Sequence, residues 1–264
     1  WNIITEKIKE YWEERSNSLK NKNATTNDTW LRELEIKNLI EILEQIKIPK
    51  NGKILDAGCG DGYSTISIAE KFPNIFFHGI DFSDNMIKIA SSRLKEKRIK
   101  NVDFQVGNVL KLDEIFNKKF DVVITDRCLI NLNTYELQKE ALSKIAKITK
   151  NNGHYIGIEN FLEGQNEMNK IRREMKLPEI AIRWHNLFFK ENEFKEDMDK
   201  KFRLIDIKNF SSSYYFATRI IYSKICQMNG EEPNYNHEIH QLAIDLPNFG
   251  NFSPIKCIIL QKRE

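Results

Sequence analysis

From Lys53 onward, short apolar runs alternate with stretches of helical period. Lys53–Ala57, Ile75–Ile80, Val102–Val106, Phe120–Thr125 and Tyr155–Ile158 read as strands bounded by turn residues. Between them, Tyr63–Phe72 reads as a helix stopped by Pro73, and a second helix opens at Ser83-Asp84-Asn85 and runs to Lys97. A third covers Tyr135–Ile148 and ends before Asn152-Gly153. The run Phe120-Asp121-Val122-Val123-Ile124-Thr125 is almost continuously apolar, as a strand covered on both faces of a parallel sheet must be. Strands alternating with helices predict such a sheet with helices on both faces.

The flanks break this rhythm. Residues 1–48 read as helices, with Ile4, Ile8, Tyr11 and Trp12 on one stripe and Leu34, Leu39, Ile42, Leu43 and Ile46 on another; the polar Ser16–Asp28 reads as a loop between them. Residues 161–201 read as a polar helix, a turn at Pro178 and the aromatic run Trp184-His185-Asn186-Leu187-Phe188-Phe189. Phe202–Phe210 and Ile255–Gln261 read as the sixth and seventh strands, with the long, aromatic segment 211–254 between them. The expectation is one domain spanning 1–264: an α/β, Rossmann-like, seven-stranded, mostly parallel sheet. Residues 49–160 and 202–264 form its core, 1–48 a helical lid, and 161–201 and 211–254 two cap insertions.

Composition narrows the class. Of 264 residues, 41% are hydrophobic and 30% charged, which suits a globular chain. A net charge of +3 without a basic cluster argues against a dedicated nucleic-acid binder. No apolar run approaches the length of a membrane-spanning helix. Cys59, Cys128, Cys226 and Cys257 have no metal-site spacing, and buried thiols suit a reducing, cytoplasmic compartment. The chain starts at Trp1, with no signal peptide in what is shown, and triplets such as Asn23-Ala24-Thr25 reflect abundant Asn rather than glycosylation.

The chemistry centres on Ile54-Leu55-Asp56-Ala57-Gly58-Cys59-Gly60-Asp61-Gly62, a glycine turn between a strand and a helix. Glycines let the chain turn tightly and let a ligand approach the backbone. Asp81 ends the next strand about 20 residues on, where a βαβ nucleoside-binding unit places a carboxylate for ribose hydroxyls. A dinucleotide site prefers Gly-x-Gly-x-x-Gly, whereas this chain has Gly-x-Gly-x-Gly.

The stretch resembles the first motif of class I S-adenosylmethionine-dependent methyltransferases. That resemblance implies S-adenosylmethionine as cofactor and S-adenosylhomocysteine as product, with Asp56 near the methionine ammonium and Gly58, Cys59 and Gly60 in the cofactor turn. It implies Asp81 on the ribose, Phe82 and Met86 beside the adenine, and Gly107, Asn108 and Val109 near the adenine amine; Asn108 stands where the family usually has Asp. Asp126 and Arg127, after the fourth strand, are further candidate cofactor contacts, as are Tyr11 and Arg15, which resemble the opening helix that folds over the site in small-molecule methyltransferases. A narrower resemblance links Arg127–Leu132, Glu159-Asn160, Arg183–Asn186, Ser212–Tyr215 and Gly250–Lys256 to bacterial enzymes of surface-polysaccharide and small-molecule modification. It implies a sugar acceptor, nucleotide-linked or free, as in capsular polysaccharide.

A hydroxyl acceptor needs a base. His185 is the first candidate because histidine titrates nearest neutrality; Glu159, His237 and His240 are others, and Asn131 and Asn160 could orient the acceptor. Arg183, Trp184, Tyr214, Tyr215 and Arg219 are candidate acceptor contacts, since aromatic faces suit a ring and arginine forks suit phosphate or carboxylate. Asp126 with Glu159 makes an unconvincing cation site, so no metal is expected. Alternatives are transfer to nitrogen or carboxylate, a dehydrogenase, and a non-catalytic cofactor binder. Thr125-Asp126-Arg127-Cys128 lacks both the Asn/Asp-Pro-Pro-Tyr/Phe of amino-methyltransferases and the Pro-Cys of cytosine C5 enzymes. A homo-oligomer remains compatible with the sequence.

Overall fold

A computed structural model describes residues 3–18 and 24–264, with side chains from Glu6 to Asn17 in the first segment. Trp1, Asn23 and the side chain of Ile4 lie outside the described residues. Seven strands, β1 (Lys53–Ala57), β2 (Phe76–Asp81), β3 (Val102–Val106), β4 (Phe120–Asp126), β5 (Thr149–Asn160), β6 (Phe202–Lys208) and β7 (Ile255–Lys262), form one sheet in the order β3-β2-β1-β4-β5-β7-β6. All pairs from β3 to β5 are parallel, and only β7 runs antiparallel, between β5 and β6. This is the Rossmann-like, seven-stranded, mostly parallel sheet that was expected.

Helices α1 (Ile3–Ser18), α2 (Thr29–Gln45), α3 (Tyr63–Ala69), α4 (Asp84–Lys97), α5 (Leu112–Ile115) and α6 (Tyr135–Ile148) accompany the first five strands. Side-chain caps start three of them: Asp28 accepts from Leu31 N, Ser83 from Met86 N and Thr134 from Leu137 N. Adjacent strand residues point to opposite faces, so Ile54 and Val122 join one apolar cluster while Leu55 and Val123 join the other. Each central strand is therefore buried twice, and α2 covers one face while α6 covers the other.

Several boundaries differ from the sequence reading. The first helix extends three residues into the expected Ser16–Asp28 loop. Helix α3 closes at Ala69, before Phe72. Strand β5 is far longer than Tyr155–Ile158, because the turn residues Asn151-Asn152-Gly153 lie within its span and pairing with β4 shifts register between Phe120 and Val122. The 161–201 segment holds α7 (Leu162–Glu174) and also α8 (Glu191–Asp199), joined by a parallel bridge between Phe161 and Phe189. Residues 211–254 fold into α9 (Ser212–Tyr215), a π-helical turn over Phe216–Ile221, α10 (Tyr222–Asn229) and α11 (Glu238–Ala243).

The topology positions the site. Strand order reverses at β1, whose neighbours are β2 and β4, and open α/β sheets bind ligands at the carboxyl ends beside such a reversal. The register Asn160↔Ile255 brings the start of β7 to that same edge.

Candidate active site

A cavity of about 310 Å³ opens over the carboxyl ends of β1, β2, β4 and β5. Its floor is the glycine turn. Gly58 sits at φ +89°, and a Cβ there would stand 2.5 Å from Cys128 Sγ; at Gly60, φ +53°, it would stand 2.6 Å from Thr25 Cγ2. Both positions thus need glycine for backbone angle and for space. Gly58, Cys59 and Gly60 all line the cavity.

Three carboxylates from three strand ends face it: Asp56, Asp81 and Asp126. Asp56 accepts a 2.5 Å hydrogen bond from Thr65. Burial, with the nearby charges of Asp126 and Asp81, raises its pKa to about 7. Asp81 accepts the backbone N–H of Gly60 (2.9 Å) and of Ser83 (2.9 Å), so one carboxylate ties the glycine turn to the start of α4. Burial raises Asp81 to about 6, against those two hydrogen bonds. Asp126 is raised too, by burial that Arg127 only partly offsets. When ionised, these strand-end carboxylates suit a cation. Phe82 and Met86 line the same end.

Arg127 lines the cavity but is committed to the protein. Its guanidinium donates to the fully buried Glu35 at 2.9 Å and lies 3.5 Å from Asp126, on a left-handed backbone at φ +51°. Asn131 is also occupied: it donates to the carbonyls of Arg127 (2.8 Å) and Cys128 (3.4 Å) and accepts from Trp12 Nε1 (3.3 Å). Glu159 lies outside the cavity lining; its carboxylate accepts the N–H groups of Leu129 and Ile130 at 3.0 and 3.3 Å, holding the turn after β4. Burial raises it to about 7 despite those bonds.

His185 and Asn160 are placed differently. Both line the cavity, at 4% and 7% exposure, and neither His185 Nδ1 nor Asn160 Oδ1 has a partner. The segment carrying His185 is pinned at Leu187, which donates to Ile130 O (2.7 Å), and at Phe189, which donates to Asn160 O (2.9 Å). Tyr11, Trp12 and Trp184 pack around the imidazole, with ring centroids 4.5, 5.9 and 5.3 Å away. Burial, helped by Arg183 and Arg15, lowers its pKa to about 4, so it is unprotonated at neutral pH but a weaker base than the near-neutral histidine expected from the sequence.

The remaining candidates separate into two groups. Arg183, Tyr215 and Arg219 line the cavity. Tyr11 and Trp184 do not, and serve instead as the packing around His185; Arg15 donates to Ala24 O (2.7 Å) and Asn27 Oδ1 (2.8 Å), fixing the loop before α2. Gly107, Asn108 and Val109 also lie outside the lining, where Asn108 accepts from Leu110 N and caps the turn after β3. Tyr214 is buried behind the cavity wall, bonded to Asp28 and His240; His237 is exposed and caps α11. The sequence reading missed Thr25–Asp28, Arg32, Asp61 and Tyr235, which line the cavity, and Glu35 behind them. One signal was present: Arg32, Glu35 and Asn38 recur every third residue in α2 and are all buried, a polar stripe beside the apolar one.

Residues 48–205 match the family model described as "Methyltransferase domain". The chain is 38% identical over 108 residues to a demethylmenaquinone methyltransferase of Lactococcus lactis, covering 40% of this chain and 41% of that one. It is 32% identical over 126 residues to an uncharacterised protein of Rickettsia prowazekii, covering 48% and 50%. The chain thus spans half or less of the length of these relatives. In fold it is similar to the magnesium protoporphyrin IX methyltransferase of Synechocystis PCC 6803 with bound SAH (TM-score 0.63, 14% identity, 97% of this chain and 98% of that one). It is also similar to the N-methyltransferase NodS of Bradyrhizobium japonicum (TM-score 0.59, 12% identity, 97% and 99%). With its sheet order, its glycine turn and its strand-end carboxylates, the chain belongs to the methyltransferase-domain family, the S-adenosylmethionine-dependent enzymes of class I fold.

Proposed function

We propose that the chain transfers a methyl group from S-adenosylmethionine to a hydroxyl of a small acceptor, a sugar or nucleotide-linked sugar. The cofactor supplies an electrophilic methyl on a cationic sulfonium, and the acidic strand-end cradle suits such a cation. Asp56 would hold the ammonium, Asp81 the ribose hydroxyls, and Phe82 and Met86 the adenine. The wall positions that support the glycine turn, Thr25 and Cys128, leave no room for a Cβ at Gly60 or Gly58.

The observation that carries the hydroxyl reading is His185. It is a buried, neutral imidazole with a ring nitrogen unpartnered, lining the same cavity as Asp56 and Asp81. In this role it would take the acceptor's hydroxyl proton as the oxygen displaces the sulfur from the methyl carbon, the C–S bond breaking as the C–O bond forms and S-adenosylhomocysteine leaving. Asn160 orients the acceptor through its free amide oxygen. Tyr215 and Tyr235 offer ring faces, and Arg183 an accessible cation for an attached phosphate. Segments 161–201 and 211–254 then act as the acceptor cap and 1–48 as the lid. Relatives named for quinone, porphyrin and nitrogen methylation mark the other acceptors to be tested.

The test is incubation with methyl-labelled S-adenosylmethionine and nucleotide-sugar pools. A gain of one labelled methyl on a sugar oxygen supports the reading. Label on an amine, a carboxylate or a quinone ring instead removes the hydroxyl assignment and keeps the transferase.

A further inference from the structure

Arg219 was expected to meet an anion of the acceptor, but its guanidinium is already engaged. It pairs with the buried Asp28 carboxylate and lies over the rings of Tyr215 (5.3 Å) and Tyr235 (4.9 Å). Asp28 is a junction. It caps α2 through Leu31 N (3.1 Å), accepts from Tyr214 Oη (2.5 Å) and stands 3.7 Å from His240 Nδ1. His240 Nδ1 in turn lies 2.7 Å from Tyr214 Oη. Among the described residues, the partners of the Asp28 carboxylate other than the cap come from the 211–254 segment.

On its other side, Asp28 continues into the loop that touches the glycine turn. Thr26 Oγ1 accepts from Asp28 N (3.1 Å), and Thr25 lies against Gly60. Arg219 also reaches the 161–201 segment, because the buried Arg172 of α7 donates to Arg219 O and to Pro178 O (2.8 Å). Arg219 sits in the π-helical turn Phe216–Ile221, a geometry often found at functional positions. One continuous polar chain, Arg172–Arg219–Asp28–Thr26, therefore joins both acceptor-side segments to the wall of the cofactor turn.

We infer that Arg219 is a positioning residue that couples the two halves of the cavity. Its pairing with Asp28 holds the Thr25–Asp28 wall against Gly60 and sets the rings of Tyr215 and Tyr235 together. The consequence is that loss of this acceptor-side pairing weakens cofactor binding. This rests on the methyltransferase reading of the cavity and adds a linkage that reading does not require.

The experiment is calorimetric titration of S-adenosylhomocysteine into the wild-type protein and the variants Arg219→Ala, Arg219→Lys and Tyr214→Phe, each with its thermal unfolding midpoint. Coupling predicts that Arg219→Ala raises Kd roughly 5- to 150-fold, although Arg219 belongs to the acceptor side. Arg219→Lys keeps the charge without the planar fork and should fall between. Tyr214→Phe removes a single hydrogen bond from Asp28 and should raise Kd by about 2- to 10-fold; it carries the test if Arg219→Ala does not fold. Lowered midpoints with unchanged Kd would reduce Arg219 to a structural residue and overturn the coupling alone. Absence of binding in the wild type would remove the methyltransferase reading as well.

Discussion

The two ends of the cavity are built by different means. At the cofactor end, the contacts are local: Asp56, the glycine turn, Asp81, Phe82 and Met86 all come from one β1–α3–β2–α4 run. Their spacing is set by strand and helix lengths, so the backbone alone places them. At the acceptor end, the wall is assembled from distant segments, with Asp28 and Arg219 separated by 191 positions and Trp12 and Asn131 by 119. The first end is a property of the fold. The second is a property of this chain's long-range pairing.

That difference yields its sharpest break at His185. His185→Ala is expected to lower kcat by about 10²–10⁴-fold while leaving S-adenosylhomocysteine affinity nearly unchanged, measured by single-turnover kinetics and calorimetry. Equal losses in both would place His185 in the cofactor end or in the framework. The converse variant, Asp81→Ala, deprives Gly60 N and Ser83 N of their acceptor and should weaken cofactor binding by about 1–3 kcal/mol. A smaller loss of cofactor affinity than for His185→Ala would invert the comparison.

The pH dependence separates the ends without mutation. Asp56, raised to about 7, would hold the cofactor's ammonium only when ionised, and Asp81, raised to about 6, would accept most strongly from the ribose hydroxyls when ionised. S-adenosylmethionine affinity should therefore rise as pH increases from about 5 to about 7, by at most about tenfold per pH unit for each proton released. The same raised values act oppositely on the empty protein. A carboxyl whose pKa is raised by folding stabilises below its unfolded value near 4, and that contribution is lost as pH climbs through about 6 and 7. Thermal midpoints without ligand should fall across that window, and cofactor should restore them. Asp56→Asn should flatten both trends. The smallest expected effect is that of a chelator, which should leave turnover unchanged; among the described residues no group of His, Cys, Asp and Glu is arranged to hold a metal ion.

What the sequence revealed follows the same division. The mostly parallel sheet, the glycine turn and the strand-end place of Asp81 were legible because strand–turn–helix spacing is local and the residue types are restricted. Asn108, Glu159 and Asn131 were assigned by position in a motif, and their position at the strand ends was sound. Their side chains turn to the backbone instead: Asn108 caps Leu110 N, Glu159 holds Leu129 N and Ile130 N, and Asn131 holds two carbonyls. A strand-end polar residue has two possible duties, ligand or turn, and sequence spacing does not distinguish them. Glu35 and Asp28 were illegible for another reason. Each is a buried charge satisfied by an arginine far along the chain, and such a pairing appears only once the sheet brings the segments together.

The account's central claim is that the acidic carboxyl edge selects a cationic nucleoside cofactor. Isothermal titration of the wild-type protein with S-adenosylmethionine, and separately with NAD, tests it most directly. One S-adenosylmethionine per chain, bound more tightly at pH 7 than at pH 5, with no heat from NAD, is the predicted result. Saturable binding of NAD with none of S-adenosylmethionine would contradict it.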